Sequence, residues 1–144
     1  MILLHIVVAS LYGLAAFLRN AGATNHLRIR AAAVAIGLAL VLHAWTIKQA
    51  VFTPEGLDLS FLHALSLVAW VTVLVAGVSG VLARLPAAGN AILAVAALCA
   101  FAPLAGGTVH RFPYAGAPWA TAHIAVALVA YALFVVATLH ALVL

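Results

Sequence analysis

Five long apolar runs, separated by short polar segments, constrain the fold of this chain more than any other feature. Each run is close to the roughly 20 residues that an α-helix needs to cross the hydrocarbon core of a bilayer. The composition agrees, because 69% of the residues are hydrophobic, 6% are charged and the mean hydropathy is +1.32. The runs are continuous and do not alternate, which is not the pattern of a transmembrane β-barrel. The sequence therefore predicts an all-α, polytopic membrane bundle of five helices.

The breaks between the runs define the predicted spans of a single transmembrane domain. Pro54 and Gly56 mark one break and Gly106 with Gly107 another, because proline and glycine commonly end helices. The last run continues to the end of the chain without a polar flank, so we expect the N-terminal part of a longer fold. The predicted spans are residues 2–18, 31–51, 61–83, 91–105 and 119–141.

The distribution of charge predicts how the spans are oriented. Both acidic residues lie in the segment after span two, whereas most of the basic residues follow spans one and three. By the positive-inside rule, the arginine-rich segments face the cytoplasm, which places the N-terminus outside and the C-terminus inside. The basic residues anchor helix ends, so the pI near 10 does not indicate nucleic-acid binding. The four arginines of these two segments are Arg19, Arg28, Arg30 and Arg84.

Histidine is the residue type in this chain most able to carry chemistry, with seven histidines against two acidic residues. Neutral imidazole is a common ligand of haem iron, and helix bundles hold such ligands on facing helices. In the predicted orientation, five histidines lie in the outer half of the bundle: His5, His43, His63, His110 and His123.

Aromatic residues accompany two of these histidines at helical spacing. Trp119 and His123 are four residues apart on span five, and Trp70 follows His63 on one stripe of span three. A nitrogen ligand beside an aromatic surface suits a flat, apolar ring that contains a metal. The candidate cofactor-binding residues are His43, His123, Trp119 and Trp70, and His63 and His5 are weaker candidates as metal ligands.

A structural role is the alternative for each of these side chains. Histidine and tryptophan at a membrane interface commonly sit in the headgroup region with their polar edges hydrated, which accounts for His5, His63 and Trp119. His43 lies deep in span two, where a polar ring needs a partner. A packed, hydrogen-bonded His43 explains the sequence as well as a ligand does.

Three segments resemble those of the cytochrome c assembly protein family: "VLHAW" in span two, "LDLSFLHALSLVAW" at span three and "TAHIAVALVAYALFVVATLHAL" in span five. The YpjD-like inner membrane proteins, related to CcsA and HemX, are the most similar branch. The resemblance covers essentially the whole chain but only the N-terminal part of the family's fold. The tryptophan-rich external haem loop that marks CcsA itself is absent from this sequence.

This resemblance implies a protein of the bacterial inner membrane that binds haem near the outer face and passes it towards cytochrome c maturation. Membrane lipid, haem and cytochrome c maturation proteins are the partners that it implies. His123 resembles the external haem-ligating histidine of the CcsA branch. His43 resembles the histidine in span two of the YpjD-like members.

Two other functions remain open from the residues themselves. One is a non-catalytic structural or regulatory membrane subunit, as the similarity to HemX allows. The other is a transition-metal permease, which fits less well because no acidic residue lies within a span. The sequence contains no nucleophile elbow, glycine-rich nucleotide loop or paired carboxylates, so it does not predict an enzyme.

Overall fold

The computed structural model describes residues 2–20, 25–106, 108–113 and 118–142. Within these ranges, five helical stretches are long and apolar enough to cross a membrane, as the sequence predicts. The described part of the protein is therefore mainly α-helical, and its five apolar helices are those of a multi-pass membrane protein. Its helices are α1 (Ile2–Asn20), α2 (His26–Val51), α3 (Phe61–Val78), α4 (Val81–Arg84), α5 (Pro86–Cys99), which a 3₁₀ helix (Ala102–Ala105) follows, and α6 (Pro118–Leu142).

The helices pack around a core that consists largely of alanine. α1 packs against α2 and α5, whereas α3 contacts α2, α5 and α6. Small side chains allow helices in a membrane to approach closely. The largest apolar side chains that are fully buried are Tyr12, Ile92 and Leu93. α6 is the exception, because 6% of its apolar window is buried and most of its surface faces outward. It is the helix most open to lipid or to a partner.

A small antiparallel sheet closes one end of the bundle, where the sequence predicted only loops. Its strands are β1 (Phe52–Thr53), β2 (Gly56–Asp58) and β3 (Arg111–Phe112), in the order β1-β2-β3. Gly56 has a φ of +149°, and a Cβ there would collide with the Phe112 carbonyl, so β3 can pair with β2 only because this residue is glycine. We call this end the sheet end, and the opposite end, which carries Arg19 and Arg84, the arginine end.

The third predicted span, residues 61–83, is wrong in its last five residues. α3 ends at Val78, and the Ser79 and Gly80 N–H groups donate to the Val75 and Gly77 carbonyls at 2.9 and 3.2 Å. Gly80 has a φ of +78°, a left-handed conformation that favours glycine and commonly terminates a helix. The chain turns here and continues as the short helix α4.

The second predicted span, residues 31–51, begins too late. α2 starts at His26 because Asn25 caps it, with its side-chain oxygen accepting from the Leu27 and Arg28 N–H groups at 3.0 and 3.3 Å. The arginines that were predicted in a loop therefore extend from the first turns of a helix. α1 and α6 differ from the predicted first and fifth spans by no more than two residues at either end.

The fourth predicted span, residues 91–105, begins too late, whereas its last residue matches the end of the apolar helical stretch Pro86–Ala105. Residues 84–90 were predicted to lie between two spans, but α5 already begins at Pro86, because a proline at the first helical position needs no N–H partner. The α-helix ends at Cys99, since Pro103 has no N–H to donate to the Cys99 carbonyl and its ring would clash there. Residues Ala102–Ala105 continue as a 3₁₀ helix.

Replacing Gly89 by alanine tests how closely α1 and α4 approach α5. A Cβ at Gly89 would lie 2.6 Å from Arg19 Nη2 and 3.2 Å from Leu82 Cα. We expect this overpacking to outweigh the gain in helix propensity and to lower stability by about 1 kcal/mol. Thermal unfolding in detergent measures the effect. Gly13→Ala is the matched control, because nothing lies within 4 Å of that Cβ, and an equal gain in both variants would contradict the expectation.

Candidate functional site

His43 lies at the centre of a buried polar chain that joins three helices. Its Nδ1 is 3.2 Å from the Tyr12 hydroxyl on α1, and its Nε2 is 2.9 Å from Ser66 Oγ on α3. The Tyr12 and His43 rings also meet edge to face, with centroids 5.8 Å apart. Tyr12 and His43 are 0% exposed, and Ser66 is 1% exposed. The deep histidine therefore has the internal partners that its position in a membrane span requires.

This chain of contacts makes His43 a poor metal ligand in the described structure. A neutral imidazole has one donor and one acceptor nitrogen, and a metal must use the nitrogen that carries no proton. Both nitrogens of His43 are already engaged, one with a tyrosine and one with a serine. Haem ligation at His43 would require breaking one of these contacts and opening the core, so the predicted iron ligand does not fit at this position.

His5 and Trp70 are also used to join helices. His5 is 4% exposed, and its Nδ1 donates to the Ala100 carbonyl just after α5 at 2.7 Å. That carbonyl is one of the groups that an ending helix leaves without an internal partner. Trp70 donates its indole N–H from α3 to the Leu40 carbonyl of α2 at 2.8 Å. Trp70, predicted as a cofactor contact, therefore fastens two helices together.

His63 lies beside a buried carboxylate at the sheet end. Its Nδ1 is 3.4 Å from Asp58 Oδ2, but the two groups are not aligned as a hydrogen bond. The contact is therefore an ion-pair contact that gains strength only when the imidazole is protonated. Asp58 Oδ1 accepts from the Ser60 N–H at 3.0 Å and from the His110 N–H at 3.4 Å. This carboxylate connects β2 to the start of α3 and to the segment that leads into β3.

The environment of Asp58 favours its charged form. Burial alone would raise the pKa of this carboxyl, but the Ser60 and His110 N–H groups and the nearby His63 outweigh it and lower the pKa below its ordinary value of 3.8. Because the folded-state pKa is lowered, this stabilisation is present above the ordinary pKa and is lost as the pH falls through the folded-state pKa. Although Asp58 lies in the polar segment after the second predicted span, it is not a solvated carboxylate, since the residue is 6% exposed.

Removing the Asp58 carboxylate is expected to weaken the sheet end. Asp58→Ala leaves two N–H groups without their acceptor, which should cost about 1.5 to 3 kcal/mol of stability. Asp58→Asn keeps an acceptor oxygen, so it should lower stability less than Asp58→Ala does. Because an amide does not become protonated in this range, the variant should also lose less stability than wild type when the pH falls below the ordinary carboxyl pKa. Thermal unfolding in detergent at several pH values measures both effects. Glu55→Gln is the control, because the exposed Glu55–Arg111 pair at 3.6 Å contributes little; an equal acid response in wild type and Asp58→Asn would contradict the assignment.

His123 and Trp119 are placed quite differently from the other candidates. Both side chains lie on the exposed face of α6, one turn apart, and Trp119 is 86% exposed. Within the described part of the chain, the His123 side chain makes no hydrogen bond, ion pair or ring contact. Tyr131 on the same helix is 63% exposed. We call the Trp119 and His123 side chains the α6 pair.

The structure does not gather the predicted ligands around one point. His43 lies in the core of the packed helices, whereas His123 lies on the outer surface of α6. A cavity between α3, α5 and α6 and a groove at the arginine end are both lined without a histidine. Among the described residues, no group of three or more His, Cys, Asp or Glu side chains could hold a metal ion. Of the four candidate cofactor-binding residues, His43 and Trp70 join helices, whereas His123 and Trp119 lie on the exposed face of α6.

Two residues that contact the candidate histidines were not identified from the sequence. Tyr12 was not identified as a partner of His43, although a hydroxyl inside an apolar span is itself a signal for a buried hydrogen bond. Asp58 was not identified as a buried anchor, and its partner His110 is 52 positions away in the chain. Such a contact becomes visible only when β2 and β3 pair.

Comparisons with known proteins leave the family of this chain open. No protein-family model, curated protein or solved structure matches it. The similarity to the cytochrome c assembly proteins therefore rests on three sequence segments, in spans two, three and five.

Proposed function

We propose that this chain is a haem-handling membrane protein of the cytochrome c assembly type, in which the α6 pair contacts haem. The observation that carries the proposal is the exposure of the His123 side chain on a membrane-spanning helix, where no residue of the described ranges is its partner. An ionisable side chain at such a position is costly unless it serves a ligand, a partner or the interface. Trp119, one turn earlier on the same face, supplies the flat apolar surface that a porphyrin ring prefers.

The proposed roles divide the histidines into two groups. His123 is the axial ligand that this chain offers to haem iron, and haem is its cargo. His43, His5 and His63 hold helices and the sheet end in place. One histidine supplies one axial position, so a six-coordinate iron would need its second ligand from another polypeptide segment or another copy of the chain.

The proposal includes a location and an orientation. The arginine end faces the cytoplasm and the sheet end faces outward, in a bacterial inner membrane. Four of the six basic residues lie at or near the arginine end, and both acidic residues lie at the sheet end. This asymmetry supports the orientation by the positive-inside rule. The α6 pair then lies at the outer boundary, where haem would be passed to cytochrome c maturation proteins.

A second candidate function is a non-catalytic structural or regulatory membrane subunit. The observation that favours it is the internal use of His43, His5 and Trp70, each of which joins two or more helices. In that case the exposed face of α6 would pack against a partner protein and would have no affinity for haem. The two functions differ in what the same face of α6 binds.

Titration of the purified, detergent-solubilised protein with ferric haem tests the proposal. Saturable binding of one haem per chain, with a Soret band shifted from that of free haem in the same detergent, is the expected result. Non-saturable partitioning, identical to that of empty detergent micelles, would remove the haem proposal and favour the structural subunit. A matched membrane protein without an exposed histidine controls for partitioning into the micelle.

A further inference from the structure

A groove opens at the arginine end, between the ends of α1 and α3 and the starts of α2 and α5. Its volume is about 390 Å³, within the range of roughly 300 to 1,000 Å³ that is typical of small-ligand sites. The walls are apolar apart from one charged side chain. The apolar wall residues include Ile29, Ala33, Ile36, Gly77, Leu82 and Pro86.

Arg19 is the charged residue of this groove, and it is held in position. Its Nε donates to Asn90 Oδ1 at 2.9 Å, and Asn90 in turn donates to Asn20 Oδ1 at 2.6 Å. Its Nη2 lies against Gly89, where a Cβ would come within 2.6 Å of it. A guanidinium has five N–H donors in a planar fork, and the bond to Asn90 uses one of them. The fork can therefore present its other donors to an anion in the groove.

The arginine end, where the groove opens, carries more positive charge than the sheet end. Arg28 and Arg30 extend from the first turns of α2, and Arg84 ends α4. The two acidic residues of the sequence, Glu55 and Asp58, lie in the turn and strand of the sheet end. A negatively charged group is therefore attracted to this end of the bundle.

We infer that this groove binds one anionic phospholipid, with its headgroup phosphate on Arg19 and an acyl chain along the apolar wall. Ile29 and Ile36 line the groove two turns apart, which provides about 10 Å of apolar surface along α2. A free anion would gain nothing from this wall, and a neutral lipid would gain nothing from Arg19. Basic pockets between membrane helices are known to take such headgroups. The lipid site is independent of the haem proposal, since it shares no residue with the α6 pair.

Native mass spectrometry of the full chain in detergent tests this site with an equimolar mixture of phosphatidylglycerol and phosphatidylcholine. We expect each wild-type chain to retain one phosphatidylglycerol molecule in preference to phosphatidylcholine. Arg19→Gln should lower that retention about fivefold, whereas Arg19→Lys should keep most of it, because it keeps the charge. Arg30→Gln is the control for general attraction, since Arg30 is exposed and does not line the groove.

A second pair of variants tests the apolar wall without changing charge. Ala33→Phe should fill the groove and lower lipid retention at least as much as Arg19→Gln does. Val34→Phe, at the neighbouring position outside the groove, should leave retention unchanged. Equal retention of the two lipids, equal losses in Arg19→Gln and Arg30→Gln, or no effect of Ala33→Phe would each overturn the inference. Displacement of the lipid by excess inorganic phosphate would also overturn it, because it would assign a site for free anions.

Discussion

His43→Ala is expected to lower the free energy of unfolding by about 2 to 4 kcal/mol, the largest loss for any single histidine of this protein. Interhelical hydrogen bonds in membrane proteins contribute about 0.6 kcal/mol each on average, so the bonds to Tyr12 and Ser66 account for the smaller part. The larger part is the cavity that the ring leaves, since His43 is 0% exposed and its neighbours would lose packing contacts. Unfolding in detergent, followed by circular dichroism, measures the loss.

Three further variants separate the hydrogen bonds from the cavity. Tyr12→Phe and Ser66→Ala each remove one bond to His43 and little volume, so each should cost about 0.6 kcal/mol and no more than about 1.7 kcal/mol. His26→Ala is the matched control, because His26 is exposed at the first residue of α2. Its stability should not change measurably. If His43→Ala proved as harmless as His26→Ala, the polar chain described here would not hold α1, α2 and α3 together.

The same variant separates a structural histidine from an iron ligand. A folded His43→Ala protein should bind haem with an unchanged spectrum, because neither ring nitrogen of His43 is free in the packed bundle. Loss of the low-spin spectrum in a protein that retains its helical content would assign ligation to His43 after all. Stability and spectrum must therefore be measured on the same preparation.

The class of fold could be predicted because it depends on the length and continuity of the apolar runs. The ends of the helices could not be predicted, because proline can either begin a helix or prevent it from continuing, depending on its position. Pro86 begins α5, whereas Pro103 lies just beyond the end of its α-helix, and Gly80 ends α3 in a left-handed conformation. Whether such a residue begins or ends a helix depends on backbone hydrogen bonds that cannot be read from the sequence. Asn25, which begins α2 earlier than predicted, was a visible capping signal and was missed.

The direction in which each side chain faces was harder to predict than the position of its helix. A soluble helix has a polar face that marks its exposed side, but these helices are apolar all round, so periodicity gives no such mark. Trp70 and Trp119 therefore looked equivalent in the sequence. In the structure Trp70 donates to a neighbouring helix, whereas Trp119 is 86% exposed. Likewise, the sequence predicted that His43 needs a partner but could not identify Tyr12, which is 31 residues away.

Haem affinity should fall more than roughly tenfold in His123→Ala, since loss of even an outer-shell partner of a ligating histidine typically weakens metal binding by about 10- to 100-fold. Trp119→Ala should weaken binding by about two- to tenfold, because it removes an aromatic contact but no bond to iron. Titration with ferric and ferrous haem measures both affinity and ligation state.

Two matched variants make this last prediction specific to the α6 pair. His26→Ala removes another exposed histidine, and Trp45→Ala removes a tryptophan of α2 that is 52% exposed. Both should retain the wild-type affinity and spectrum, because neither residue lies on α6. A spectrum that changes in His123→Ala but in neither control would assign the axial ligand to α6. Equal binding by wild type and His123→Ala, with the same absorption maxima, would instead make α6 a packing surface, and the exposed histidine would then have to be explained by a partner protein that covers it.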